Sequence, residues 1–187
     1  MTVKEILKIA STLLGRGDIK TYFEGGAIDD YIRIEEDANL LLDCYNLVEE
    51  EISTDYYRLK HTQSFTVSNG VVKCSEFLYN PLAILKVLDK FGSSIDAQVK
   101  PDGVYTDKRQ ITVIYSYLPN KKGIDGVSEF KLTPISPRIL AYGTVTEYCL
   151  VKGMYEEAVT WHKKFINSLT TCMANKKVNK IKERKLR

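Results

Sequence analysis

The sequence predicts an α+β protein: a four-helix bundle of two N-terminal and two C-terminal helices, an antiparallel β domain inserted between the pairs, and a basic C-terminal arm. Three observations predict it. Apolar residues recur at three- and four-residue spacing in four segments, two toward each end of the chain. Between them, from Tyr57 to Leu118, the period falls to two. After Ala174, seven Lys and Arg stand against Glu183 alone. The expected divisions are residues 1–56, 57–118, 119–174 and 175–187.

The first helix opens on Thr2-Val3-Lys4-Glu5, a T-x-x-E capping box in which hydroxyl and carboxylate each satisfy an orphan backbone N–H. Val3, Ile6, Leu7, Ala10, Leu13 and Leu14 form its apolar stripe, and Gly15 and Gly17 end it. The polar stretch Asp18 to Asp30, with Gly25-Gly26, reads as a loop. The second helix runs from about Tyr31 to Ser53, with Ile34, Ala38, Leu41, Leu42, Tyr45, Val48 and Ile52 on one face and acid on the other. Then Tyr57, Leu59, His61, Gln63, Phe65 and Val67 alternate with polar residues. Asn69-Gly70 supplies the positive φ angles of a type I′ turn into Val71-Val72-Lys73-Cys74. Strands are expected at Ala83 to Asp89, Ile95 to Val99, near Val104 after Pro101-Asp102-Gly103, and at the β-branched and aromatic Gln110 to Leu118. Together they read as a meander of five or six strands. Ser136-Pro137 caps the third helix and Gly153 ends it. Tyr155, Ala158, Val159, His162, Phe165, Ile166, Leu169, Cys172 and Met173 mark one face of the fourth, so the last two helices form a hairpin.

With 187 residues, 44% hydrophobic and 27% charged, the chain is long enough to bury a core without disulfides or a structural metal. No apolar run reaches the roughly 18 residues of a membrane span. Glu5 stands where a signal peptide begins its apolar stretch. Cys44, Cys74, Cys149 and Cys172 form no C-x-x-C pair, as expected of reduced thiols in a cytosolic protein. The net charge of +3 conceals a tail of +6 on a body of −3, and eleven carboxylates face Arg33 alone between Glu24 and Asp55. That split suggests an arm seeking a negative partner, either nucleic acid or another copy of the acidic body.

No catalytic, cofactor or metal role is assigned. His162 lies on the apolar stripe of the fourth helix, where a core histidine is the expectation. His61 sits in a strand with no Ser, Cys or Asp at triad spacing. Glu35-Glu36-Asp37 and Glu49-Glu50-Glu51 point in different directions around their helix and read as a solvated face or an interface stripe. The glycine pairs lie between helices rather than after a strand, which removes the geometry of a phosphate loop. Of twelve tyrosines, Tyr56, Tyr57, Tyr79, Tyr105, Tyr115 and Tyr117 could serve an interface or simply the core. In the arm, Val178, Ile181 and Leu186 interrupt the basic residues, giving apolar anchors that favour a protein partner. The alternative is a nucleic-acid-binding regulatory protein using the same arm.

The whole chain resembles the head-tail connector, or adaptor, proteins of the tailed bacteriophage neck. The phrases that carry the likeness are Thr2-Val3-Lys4-Glu5-Ile6-Leu7, Ile111-Thr112-Val113-Ile114-Tyr115-Ser116-Tyr117-Leu118-Pro119 and Arg138-Ile139-Leu140-Ala141-Tyr142-Gly143. Glu147-Tyr148-Cys149-Leu150, Gly153-Met154-Tyr155-Glu156-Glu157-Ala158 and Lys182-Glu183-Arg184-Lys185 complete them. Asp18 to Asp30 and the Asn69-Gly70 hairpin depart from the family's pattern. The resemblance implies a non-enzymatic virion protein, assembled in the host bacterial cytoplasm as a dodecameric ring around the DNA channel. It implies a portal protein above, a tail or stopper protein below, genomic DNA passing without sequence-specific binding, and no membrane. The expected contacts with portal or neighbouring subunit are Lys176, Lys177, Val178, Lys180, Ile181, Lys182, Arg184, Lys185, Leu186 and Arg187. Glu35, Glu36, Asp37, Glu49, Glu50 and Glu51 are the candidate channel lining, since phosphates that bind tightly cannot slide.

Overall fold

A computed structural model describes residues 1–178. The protein is mixed α+β, with five α-helices among the described residues, α1 (Val3–Leu13), α2 (Gly17–Glu24), α3 (Tyr31–Glu51), α4 (Pro137–Val151) and α5 (Tyr155–Val178). Between α3 and α4 run six strands, β1 (Lys60–Thr66), β2 (Val71–Lys73), β3 (Pro81–Asp89), β4 (Gln98–Lys100), β5 (Gly103–Tyr105) and β6 (Gln110–Tyr117). The chain divides into a helical unit, Met1–Glu49 with the chain from Lys121 on, and a β unit, Glu50–Asn120.

In the helical unit the expected capping box closes α1: Thr2 Oγ1 accepts from the Glu5 N–H at 3.2 Å, and Glu5 Oε2 accepts from the Thr2 N–H at 2.8 Å. Val3, Ile6, Leu7 and Ala10 are fully buried. α1 packs against α2 and α4. From α3, Ile34, Ala38, Leu41, Tyr45 and Val48 enter the core. Asn46 holds the loop before α4, accepting from the Lys122 N–H at 2.7 Å and donating to its carbonyl at 3.1 Å. α4 starts on Ser136, whose hydroxyl accepts from the Ile139 N–H. It ends in a Schellman turn, in which the Met154 N–H donates to the Cys149 carbonyl at 2.8 Å while Gly153 takes φ +74°. That turn reverses the chain into α5, which packs on α4 through Ala158, Phe165 and Leu169.

Gly143 explains why α4 tolerates a glycine in its middle. A Cβ there would lie 2.6 Å from Val48 Cγ1 and 3.1 Å from Phe165 Cε2, so α3 and α5 both close onto bare backbone.

The stretch expected as a loop from Asp18 to Asp30 is instead helical as far as Glu24. Gly17 opens α2, where an unfavourable helix former costs least. Arg16 bridges to Asp18 at 2.8 Å across that opening turn, and Ile19 and Phe23, one turn apart, bury the inner face.

In the β unit a strand overlaps each expected one, but the strand expected at Ile95 to Val99 lies instead at Gln98–Lys100, and the strands do not form one meander. The sheets are three-stranded and antiparallel, in the orders β1-β6-β3 and β2-β5-β4. Asn69 (φ +57°) and Gly70 (φ +75°) form the expected tight turn, yet β1 pairs with β6 and β2 with β5. The reason lies in β6. Its Ile111, Val113, Tyr115 and Tyr117 are all buried, so it takes the centre of the larger sheet and needs a neighbour on each side. β2 and β5 approach so closely that any side chain at Gly103 would collide with the Val72 carbonyl.

Candidate functional site

The six carboxylates expected on one acidic face of α3 part company. Glu36 and Glu50 are exposed, Glu35 and Glu51 half-buried, and Asp37 and Glu49 buried. Asp37 therefore leaves the candidate channel lining. Its Oδ2 meets Arg16 Nη2 at 2.7 Å and its Oδ1 meets Lys152 Nζ at 2.6 Å. Arg16 also donates to the Tyr148 hydroxyl at 3.2 Å, so α3, the loop before α2, and the end of α4 meet at one carboxylate. Burial pulls the Asp37 carboxyl upward, but its hydrogen bonds with Lys152 and Arg16 outweigh that and hold it below the ordinary 3.8.

Glu49 also leaves the lining, for the opposite reason. Only 1% exposed, it accepts from Ser128 Oγ at 2.8 Å and from the Glu129 N–H at 2.9 Å through Oε1. Its Oε2 and the Tyr45 hydroxyl are both buried without a well-formed hydrogen bond. Burial raises its carboxyl above 4.5 against the pull of these donors and of Lys122.

His162 is exposed rather than part of the core. The apolar residues of α5 form two adjacent stripes rather than one. Ala158, Phe165 and Leu169 face α4, whereas Tyr155 and Val159 join His162 on the solvent side. His61 packs among Tyr79, Tyr115 and Tyr117, with ring centroids 5.1 to 6.4 Å away. Of the tyrosines weighed for an interface, Tyr115 and Tyr117 are core, Tyr57, Tyr79 and Tyr105 are half-buried, and Tyr56 is exposed. Cys44 and Cys149 are buried thiols, the former pushed up to about 12 by desolvation. Cys172 donates to the Pro134 carbonyl at 3.0 Å. Among the described residues no group of three or more His, Cys, Asp or Glu is arranged to hold a metal ion, and no helix is long and apolar enough to cross a membrane.

Of the basic arm, Lys176, Lys177 and Val178 belong to the last turn of α5, so helix continues past the expected boundary at Ala174. Lys180, Ile181, Lys182, Arg184, Lys185, Leu186 and Arg187 lie outside the described residues.

Two surface features of the helical unit went unread in the sequence. The first is an open groove of about 870 Å³, floored by Ile9, Leu13 and Pro137 and edged by the Lys8–Glu24 pair at 2.9 Å. The second is the corner where α4 turns into α5. There Leu150, Val151, Tyr155 and Val159 are exposed by 44%, 60%, 66% and 55%. Glu147 stands one turn before Val151, and Glu156 and Glu157 open α5. Lys152, the cation of the turn, is engaged by Asp37. Next on α5, Trp161 is half-buried, its ring 5.7 Å from Tyr142 and 4.1 Å from Lys164 Nζ. The corner offers exposed apolar area edged with acid. The signal was present as an apolar Leu-Val pair at a helix end and a Tyr/Val pair offset from the buried stripe. Periodicity alone merged the latter into the core face.

Compared with known proteins, the chain matches no protein-family model, and no curated protein matches it significantly.

Proposed function

We propose that the chain is a structural virion protein of the tailed-phage neck, forming a ring that joins the portal of the head to the tail and encloses the DNA channel. In this reading α1 and α3 act with α4 and α5 as a four-helix bundle, α2 being an addition to it, and residues 175–187 act as the partner-seeking basic arm. The observation that carries it is the exposed apolar corner at Leu150, Val151, Tyr155 and Val159, beside a core of buried apolar residues and a paired carboxylate. Large apolar side chains held on rigid helices outside a finished core are the surface of a subunit that assembles. The resemblance in element order and in the phrases quoted above supplies the identity of the assembly. Glu35, Glu36, Glu50 and Glu51 remain the candidates for an electronegative channel wall, along which DNA slides because it is not bound.

Native mass measurement of the purified chain, alone and with the portal protein of the same phage, tests this. A closed dodecamer on the portal is the expected result. A monomer in both samples, together with DNA affinity that falls steeply with salt, overturns it in favour of a nucleic-acid-binding regulator using the arm.

A further inference from the structure

The acid-edged corner and the basic C-terminal segment are chemically complementary. The corner presents four exposed apolar side chains beside Glu147, Glu156 and Glu157. The segment carries Ile181 and Leu186 among Lys180, Lys182, Arg184, Lys185 and Arg187. Apolar anchors on both sides give specificity, and opposite charge around them gives orientation and rapid encounter. We infer that the C-terminal segment of one copy docks on the α4–α5 corner of a second copy, an inference that rests on the ring reading above.

Geometry decides between the same chain and another. α5 begins at the corner with Tyr155 and ends at Val178. At about 1.5 Å per residue, Val178 lies about 28 Å along the helix from Val159 and about 34 Å from Tyr155. Ile181 reaches only about 10 Å beyond Val178. Leu186 reaches about 27 Å at full extension, before any chain reversal is made. With Ile181 stopping about 18 Å short of Val159 and Leu186 spent at full extension, the two anchors cannot both seat on the corner of their own chain, and the helix itself is the spacer that prevents it. A corner on the next copy carries no such limit. Such a contact is heterologous, joining two different patches, so each copy offers one segment and one corner and the series propagates until rotation closes it. That is the connectivity a ring requires.

The test uses the full chain. A fluorescent peptide of residues 176–187 is titrated against protein carrying Ile181→Asp and Leu186→Asp, whose own segment no longer competes, with fluorescence anisotropy as the readout. Saturable binding is expected, at least tenfold weaker when Val151→Asp and Val159→Asp are added. Both positions are more than half exposed, so these variants should keep the helical circular-dichroism spectrum. A second receptor with Glu156→Lys and Glu157→Lys disturbs no packing and should also bind more weakly. A peptide in which Lys182 and Lys185 are changed to Glu should regain affinity for that receptor. Absence of binding, or equal binding to receptors with intact and altered corners, overturns the inference. Sedimentation of the unmodified chain separates this outcome from the fate of the ring reading. Closed oligomers without peptide binding keep the ring and remove the contact, whereas peptide binding at the corner with only open chains keeps the contact and removes the ring.

Discussion

Asp37 and Glu49 lie on the same helix and respond to pH in opposite directions. Asp37 is held below 3.8 by Arg16 and Lys152, so its stabilisation is complete above the unfolded value and is lost as pH falls through the folded one. Asp37→Asn should cost about 2 to 3 kcal/mol near neutrality, because Arg16 and Lys152 lose their shared partner, and the loss should shrink in acid. Urea midpoints at about pH 7 and about pH 3 check this; an equal loss at both would mean the ion pairs do not contribute. Glu49, raised above 4.5, contributes stability below that value and loses it as pH rises through its folded pKa. Glu49→Gln keeps the acceptor for Ser128 and Glu129 and adds a donor toward the unpartnered Tyr45 hydroxyl. The variant should therefore be more stable than the parent by about 1 kcal/mol at about pH 8 and equal to it at about pH 4. Identical pH profiles for parent and variant would show that Glu49 is not the titrating group. Neither residue could be told from its neighbours in the sequence. In the runs Glu35-Glu36-Asp37 and Glu49-Glu50-Glu51, one carboxylate of each turns inward, and which one depends on cations and hydrogen-bond donors from α4 and distant loops.

At the scale of elements, Gly143 sets how closely α3 and α5 approach α4. Gly143→Ala gains about 1 kcal/mol in helix propensity but places a methyl 2.6 Å from Val48 Cγ1. Overpacking should win by about 1 to 3 kcal/mol net, and Val48→Ala should recover part of it in a double-mutant cycle. Additive losses would mean the two side chains do not compete for the same space. α1, α3 and α4 were legible because each carries a strong local signal: a capping box, a long apolar stripe, or Ser-Pro at the start. α2 was not, because it is eight residues long with two buried apolar positions, too few to reveal a period, and a glycine at its first position reads as a terminator. The strands were legible one by one, but their pairing was not. A tight Asn-Gly turn fixes the local reversal only, and the partner of β1 is decided by the buried side chains of β6, more than forty residues away in the register Lys60↔Ser116 to Thr66↔Gln110. The exposed corner escaped for a related reason. A stripe of apolar residues wider than one neighbouring helix can cover looks in sequence like a core face.

For the whole molecule, the helical and β units each enclose their own buried residues, Ile6, Leu41 and Phe165 in one, Val113, Tyr115 and Ile111 in the other. Val113→Ala should therefore lower the hydrogen-exchange protection of β1, β3 and β6 by about 1 to 1.5 kcal/mol while leaving the amides of α1 and α4 unchanged. A uniform drop across both units would show that they unfold as one.

Trp161 is the chain's lone tryptophan, against twelve tyrosines spread along it. Its half-buried indole, beside Tyr142 and Lys164, lies in the helical unit, so light absorbed at the red edge of the aromatic band is emitted from that unit alone. Emission followed during denaturation is blind to the β sheets, while far-ultraviolet ellipticity senses both. One solution thus carries two independent optical clocks. Because the indole stands less than two helical turns from Tyr155, a quencher attached to an incoming C-terminal segment would dim it only when that segment reaches the neighbouring corner.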